Sequence, residues 1–503
     1  MRKLESLLSN QDLMVDNADN LHLFSNNSCA LAGAINFSDS SILVRAMLQV
    51  QQHRGEKSVG IVSAEKDRLY AIREMGRVDE IFPVSDINRI QQRLPGLIAI
   101  GHNRYATTGY SDYPSNIQPF IFNESKFGNF VFAHNGQLVD NKGIKEKLLR
   151  NGAIFQSRSD SELLAQMITH SRCDNIIDAI VNEVSKIPCS YSVLIETSDK
   201  ILGFRDGFGV RPLSIAKMNG GYLIASETAA FRIFPEAEFI RHVEPGELVI
   251  FDKNTIKSGK DFESIKFMER KKHFNCVFEQ IYFQDPRSET NNYMHEDFRQ
   301  KCGALVYYEN KDFFDVLHRE NGLNLAVVPI LDSGKQGAIG FSRASGIPYK
   351  EYFMRRHNAP HSSGRSYTAD NQNSREIIAN MKLDLRTEKV RDKVIITVDD
   401  SNVRGTTARN NNRRLRNAGV KEVYNIFLSP VITSPCYLGM DHQNVDELIG
   451  FRLKNLDDIA KETEADKVIH ISLEGLNSVV ADTYNVGICS GCFGGKYPVK
   501  LIQ

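Results

Sequence analysis

Hydrophobic positions across residues 30–250 fall in short runs with the twofold repeat of strands, broken by turn residues and by a few stretches at helical spacing. Leu97–Gly101, Asn129–His134, Tyr191–Glu196, Ile201–Arg205 and Tyr222–Ser226 read as strands, and Ser41–His53 and Asp160–His170 as helices. That mixture predicts an α+β unit whose sheets are covered by helices. Lys253–Lys272 is polar and charged and reads as a linker. From Leu325 the pattern changes: LAVVPIL, VIITV and NIFLS are apolar on both faces and separated by helical stretches. Such runs predict a doubly wound parallel sheet. Asn358–Asn373, rich in Ser, His and Asn, reads as a mobile loop over that sheet's functional edge. No internal repeat is present.

Composition narrows the class without choosing a function. The 503 residues suffice for two to four domains, and 41% hydrophobic with 25% charged residues is ordinary for a globular protein. Lys+Arg and Asp+Glu are both 62, so no charge excess points to nucleic acid. No apolar run reaches the length of a membrane span, and residues 1–28 have neither a secretory nor an Arg-rich transit pattern. Eight cysteines fit no disulfide scaffold and predict a reducing, cytoplasmic setting, where spaced cysteines bind metal or catalyse.

The most informative string is VIITVDDSNVRGTT at 394–407. An apolar strand ends in Asp399 and Asp400, and Gly405, Thr406 and Thr407 open a helical segment. Amides and hydroxyls at a helix start favour an anion, and paired acids at a strand's end can hold ribose hydroxyls or a hydrated Mg²⁺. No GK[ST] is present, so this is not a Walker loop. The string resembles the phosphoribosyl pyrophosphate (PRPP) loop of phosphoribosyltransferases.

The N-terminal half carries CALAGAINF from Cys29, QHRGEKSVGI from Gln52, GHNRYATTG from Gly101, FAHNG from Phe132 and SRSDSELL from Ser157. In this order they resemble class II glutamine amidotransferases, the N-terminal-nucleophile glutaminases. The resemblance implies that Cys29 attacks the glutamine amide with its own α-amine as base. It implies that Asn135 and the Gly136 N–H form an oxyanion hole. Arg104 would bind the glutamine α-carboxylate and Asp160 its α-ammonium, with Arg54 and Gly55 on a substrate-closing loop. One departure is Cys-Ala where the family has Cys-Gly, a methyl added beside the nucleophile.

With VVPILDSGKQGA from Val327, SGIPY from Ser345 and RSYTADNQNSR from Arg365, the whole chain from Cys29 resembles the amidophosphoribosyltransferases. These use glutamine and PRPP to make phosphoribosylamine, the first step of purine synthesis. The resemblance implies Mg²⁺ held by Ser333, Asp399 and Asp400. It implies PRPP contacts from Lys335, Arg355, Gln372, Ser401, Arg404, Gly405, Thr406 and Thr407. It further implies a [4Fe–4S] cluster on Cys276, Cys436, Cys489 and Cys492, with zinc or four free thiols as alternatives. Cys173, Cys189 and Cys302 read as buried thiols. The family's segment before Arg365 is replaced by RHNAPHSSG at 356–364, and Tyr367, Thr368 and Asp370 depart from its motif.

The expected organisation is a 1–28 propeptide, a 29–262 glutaminase domain of αββα type, a 263–470 phosphoribosyltransferase domain and a 471–503 tail with the CxxC. An α-amine base on Cys29 requires removal of residues 1–28, by self-cleavage before the thiol. Expected partners are glutamine, PRPP, purine nucleotides as feedback inhibitors, and further copies of the chain as a dimer or tetramer, with no nucleic acid or membrane. Two other readings remain: a paralogue delivering ammonia to a different acceptor, which the altered 356–370 stretch favours, and a non-catalytic PRPP-binding regulator.

Overall fold

The computed structural model describes residues 29–105, 113–138, 142–187, 189–269, 273–355, 383–440, 442, 444–484 and 486–499. The expected propeptide, the 358–373 loop and Gln372 lie outside them.

Two antiparallel sheets stack face to face in the N-terminal half. The first has seven strands in the order Glu238–His242, Ser214–Met218, Gly221–Ala225, Ala30–Ile35, Ile98–Arg104, Ser58–Glu65 and Arg68–Met75. The second has six, in the order Glu263–Lys266, Glu247–Asp252, Lys200–Arg205, Cys189–Glu196, Gly128–Leu138 and Phe120–Ser125. Leu31, Ile35 and Ile100 of one sheet meet Val131, Leu194 and Val249 of the other in a common core. The outer faces are covered by helices Ser40–Val50, against Ala32 and Val59, and Asp160–Thr169, against Phe132 and Val193. This is the expected αββα sandwich.

Two sequence expectations shift. The helix at Ser41 ends at Val50, and Gln52–Arg54 form a separate tight turn. The expected linker from Lys253 begins as structure: Lys253–Lys257 is helical, and Glu263–Lys266 pairs antiparallel with Glu247–Ile250 as an edge strand. The expected boundary at 262/263 therefore falls inside the second sheet.

The C-terminal half is built on four parallel strands in sequence order, Leu325–Pro329, Val394–Asp399, Glu422–Phe427 and Lys467–His470. Alternate residues point to opposite faces, and both faces are buried. Val327, Ile396 and Ile426 pack with Phe298, Phe341 and Val480 on one side, and Val328, Ile395 and Val423 with Leu415 on the other. A three-residue strand near the C-terminus, Gly487–Cys489, returns to pair in parallel with Phe274–Cys276.

Candidate active sites

Cys29 sits at the start of the central strand of the first sheet and is fully buried. Its backbone nitrogen lies 3.1 Å from Asn135 Oδ1, so the atom expected to serve as base already faces the expected oxyanion residue. Burial pushes the thiol up to about 12, against a backbone hydrogen bond from Tyr105 and the positive charges of Arg104 and Arg54, with Asp160 adding to the rise. Such a thiol is protonated at neutral pH and needs a base to act.

Asn135 and Gly136 lie on Gly128–Leu138, opposite Ser192 and Tyr191 of the next strand. Gly136 has φ +149°, and a Cβ there would meet the Ser190 carbonyl oxygen at 2.0 Å, so only glycine fits. The Asn135 Nδ2 is buried with no protein hydrogen-bond partner, as befits a donor kept for a transient oxyanion. Arg104 closes its strand and Asp160 opens its helix; both are buried. Asp160 Oδ2 accepts from Leu138 N at 3.0 Å, while Oδ1 has no protein partner. Burial raises its carboxyl to about 6, although hydrogen bonds from Leu138 and Ser161 oppose that rise.

The Arg54 side chain turns inward. Its Nε donates to the Cys29 carbonyl at 3.0 Å, and its terminal nitrogens are taken by Glu227 and Glu279, beneath the ring of Phe283. With a fully buried guanidinium bound to two carboxylates, it holds protein rather than substrate. Gly55, next to it, passes so near strand Ile98–Arg104 that a Cβ would fall 2.6 Å from the Arg104 carbonyl carbon. Glu227, Glu279 and Arg211 were not singled out from sequence. They lie in the strings ASETAAF, VFEQIYF and RDGFGVRPL, and nothing in those strings says which side chains turn inward.

The second site gathers at the C-terminal edge of the parallel sheet. Ser333 Oγ donates to Asp399 Oδ1 at 2.7 Å, the Asp400 N–H donates to the same oxygen at 2.9 Å, and Ser401 Oγ donates to Asp400 Oδ2. Burial and then the neighbouring Asp400 hold the Asp399 carboxyl well above its ordinary range. A divalent cation there would supply the missing countercharge. Gly405, at φ +81°, turns the chain into helix Thr406–Asn417, whose first turn holds no acid. Lys335 opens helix Lys335–Ser345 and pairs with Glu351 at 2.9 Å; Arg355 pairs with Asp332, and Arg404 with Glu447. These are solvent-exposed pairs of little net strength, easily exchanged for an anion.

The four cysteines also meet. Cys276 and Cys489 are register partners, and the Cys492 carbonyl accepts from Thr433 and Ser434, two residues short of Cys436. All four are free, buried thiols within one core; burial and then neighbouring cysteines raise the Cys489 and Cys492 thiols, while burial, then Glu279 and then Cys436 raise that of Cys276. Cys436 Sγ accepts from the Leu438 and Met440 N–H groups. Among the described residues no three His, Cys, Asp or Glu side chains converge as a single ion would require. Cys302 is a buried thiol as expected, whereas Cys173 is only half-buried.

A glutaminase sandwich joined to a phosphoribosyltransferase-type sheet defines a two-site amidotransferase. A family pattern described as a glutamine amidotransferase domain matches residues 102–232. The chain is 34% identical over 481 residues to the amidophosphoribosyltransferase of Bacillus subtilis, covering 95% of each. It is 34% identical to that of Methanocaldococcus jannaschii, covering 90% of this chain and 93% of the relative. The solved structure of the B. subtilis glutamine PRPP amidotransferase, complexed with ADP and GMP, superposes with a TM-score of 0.81 at 33% identity, covering 94% of this chain and 98% of that one. The chain belongs to the amidophosphoribosyltransferase family. None of the described helices is long and apolar enough to cross a membrane.

Proposed function

We propose that the chain converts PRPP and glutamine to phosphoribosylamine, glutamate and pyrophosphate, the first step of purine synthesis. The observation that carries this is the coexistence, in one chain, of a nucleophile bonded to Asn135, whose Nδ2 has no protein partner, and a serine–aspartate edge suited to a metal-bound sugar phosphate. Cys29 attacks the glutamine side-chain amide while Asn135 Nδ2 and the Gly136 N–H take the oxyanion. Arg104 and Asp160 hold the α-carboxylate and α-ammonium. Ammonia released there travels enclosed to C1 of PRPP, since in water it would be protonated and no longer attack.

At the second site Ser333, Asp399 and Asp400 would hold Mg²⁺, which neutralises the departing pyrophosphate. Ser401 and Gly405–Thr407 cradle the 5′-phosphate, and Lys335, Arg355 and Arg404 exchange their surface partners for PRPP oxygens. The four cysteines fit a [4Fe–4S] cluster better than zinc. A cluster spreads its ligands over four irons, whereas zinc needs every sulfur about 2.3 Å from one point. Purine nucleotides are the proposed feedback ligands, given the ADP and GMP bound to the B. subtilis enzyme; adding either nucleotide to the assay below should slow it.

The deciding experiment is Cys29→Ala, assayed with PRPP and either glutamine or ammonia. Glutamine-dependent synthesis should vanish and ammonia-dependent synthesis survive, because the second site holds no part of the thiol. Full glutamine-dependent activity in the variant would remove Cys29 from the mechanism.

A further inference from the structure

Arg54 is the first link in an unbroken run of direct contacts. From the Cys29 carbonyl it reaches Glu279, with Nη1 and Nη2 each 2.8 Å from a carboxylate oxygen. Glu279 Oε1 also accepts from Arg211 Nη1 at 2.9 Å. Arg211 then donates through Nε and Nη2 to the Leu438 carbonyl, at 3.0 and 2.6 Å. The N–H of that same Leu438 donates to Cys436 Sγ at 3.4 Å. Glu279 is itself three residues past Cys276. Glu227 completes the group, bound to Arg54 at 2.6 Å and to Ser288 and Asp285 behind it. Two arginines and two glutamates thus balance, and none of the four side chains is more than 2% exposed.

Charges this deep persist only when every partner stays in place. The group lies between the nucleophile's main chain and the loop that carries Cys436, and its members come from both halves of the chain. We propose that Arg54 and Arg211, bridged by Glu279, are positioning residues that fix the Cys29 main chain against the four-cysteine end of the second half. Glutamine chemistry then depends on that end, whereas transfer from ammonia does not. This rests on the reading of Cys29 as the glutamine nucleophile.

The test uses full-length Glu279→Gln, which keeps shape and loses charge, and Arg211→Lys, which keeps charge and loses the fork spanning Glu279 and Leu438. Both should lower glutamine-dependent kcat by about tenfold to a hundredfold, the cost of a small misplacement of a reacting group. Glutamine KM should change by less than about threefold, since no substrate contact is removed. Labelling of Cys29 by a diazoketone glutamine analogue should slow in parallel, and the ammonia-dependent rate should stay within about twofold. A purely structural role would lower both synthetic rates together, and that result overturns the proposal. So do variants labelled as fast as wild type. If Glu279→Gln does not fold, Arg211→Lys decides alone. Wild-type Cys29 that ignores the analogue would overturn the nucleophile reading, and the proposal with it.

Discussion

A single carboxyl connects burial to substrate affinity. Asp160 ionises at about 6 in the folded chain against an ordinary 3.8, because burial disfavours its charge. The folded state therefore binds that proton more tightly than the unfolded one between those values. Its stabilising share is full below pH 3.8, is lost as pH rises through about 6, and is constant beyond. At about 1.4 kcal/mol per unit the swing is on the order of 3 kcal/mol. If Asp160 takes the glutamine ammonium, only its ionised form serves. Glutamine KM should then fall as pH rises through about 6, and Asp160→Asn should raise KM and flatten that dependence. Steady-state KM measured across this range checks it; a wild-type KM that ignores pH there would remove Asp160 from the binding site. At this scale the sequence singled out Cys29, Asn135 and Asp160 through their motifs, and the structure places Asn135 and Asp160 beside Cys29. The inward turn of the Arg54 guanidinium was not legible, because a motif places a residue on a loop and says nothing of which way its side chain turns.

Among elements, legibility followed burial. LAVVPIL and VIITV are buried on both faces, so their apolar runs announced parallel strands. Glu263–Lys266 is exposed at all four positions, leaves no twofold repeat, and was read as linker. It is held by backbone pairing and by Ser264 Oγ donating to Glu247, neither of which hydropathy records. The short pair Phe274–Cys276 and Gly487–Cys489 escaped notice for another reason: three residues are too few for any period. That pair is where the cysteine assignment becomes measurable. Protein purified without oxygen should carry about four irons per chain, as a [4Fe–4S] centre requires. Cys492→Ser should lose the iron together with several degrees of thermal stability, since the ligand also ties the tail to Cys276. Iron-free, fully stable wild-type protein would dismiss the cluster.

At the scale of the whole molecule, the encoded chain places residues 1–28 ahead of Cys29, whose nitrogen is an amide while Ser28 stays attached. An amide cannot accept the thiol's proton, and burial has already made that proton hard to lose. Active enzyme should therefore have the mass of a chain beginning at Cys29, and Cys29→Ala should retain the leader if the same thiol performs the cleavage. Intact-mass spectrometry decides; a glutamine-dependent enzyme that keeps Met1 would refute the α-amine base.

The parallel pairing of Cys276 with Cys489 also sets an order of events in time. A ribosome emits residues 487–489 only after the whole sandwich and all four strands of the parallel sheet. Until they arrive, Phe274–Cys276 has no strand beside it, and the segment leading to Glu279 lacks that restraint. A nascent chain would therefore carry a folded glutaminase sandwich whose brace at Glu279 lacks that support. Glutamine hydrolysis by such a chain would run below its full rate until the half that consumes the ammonia is complete.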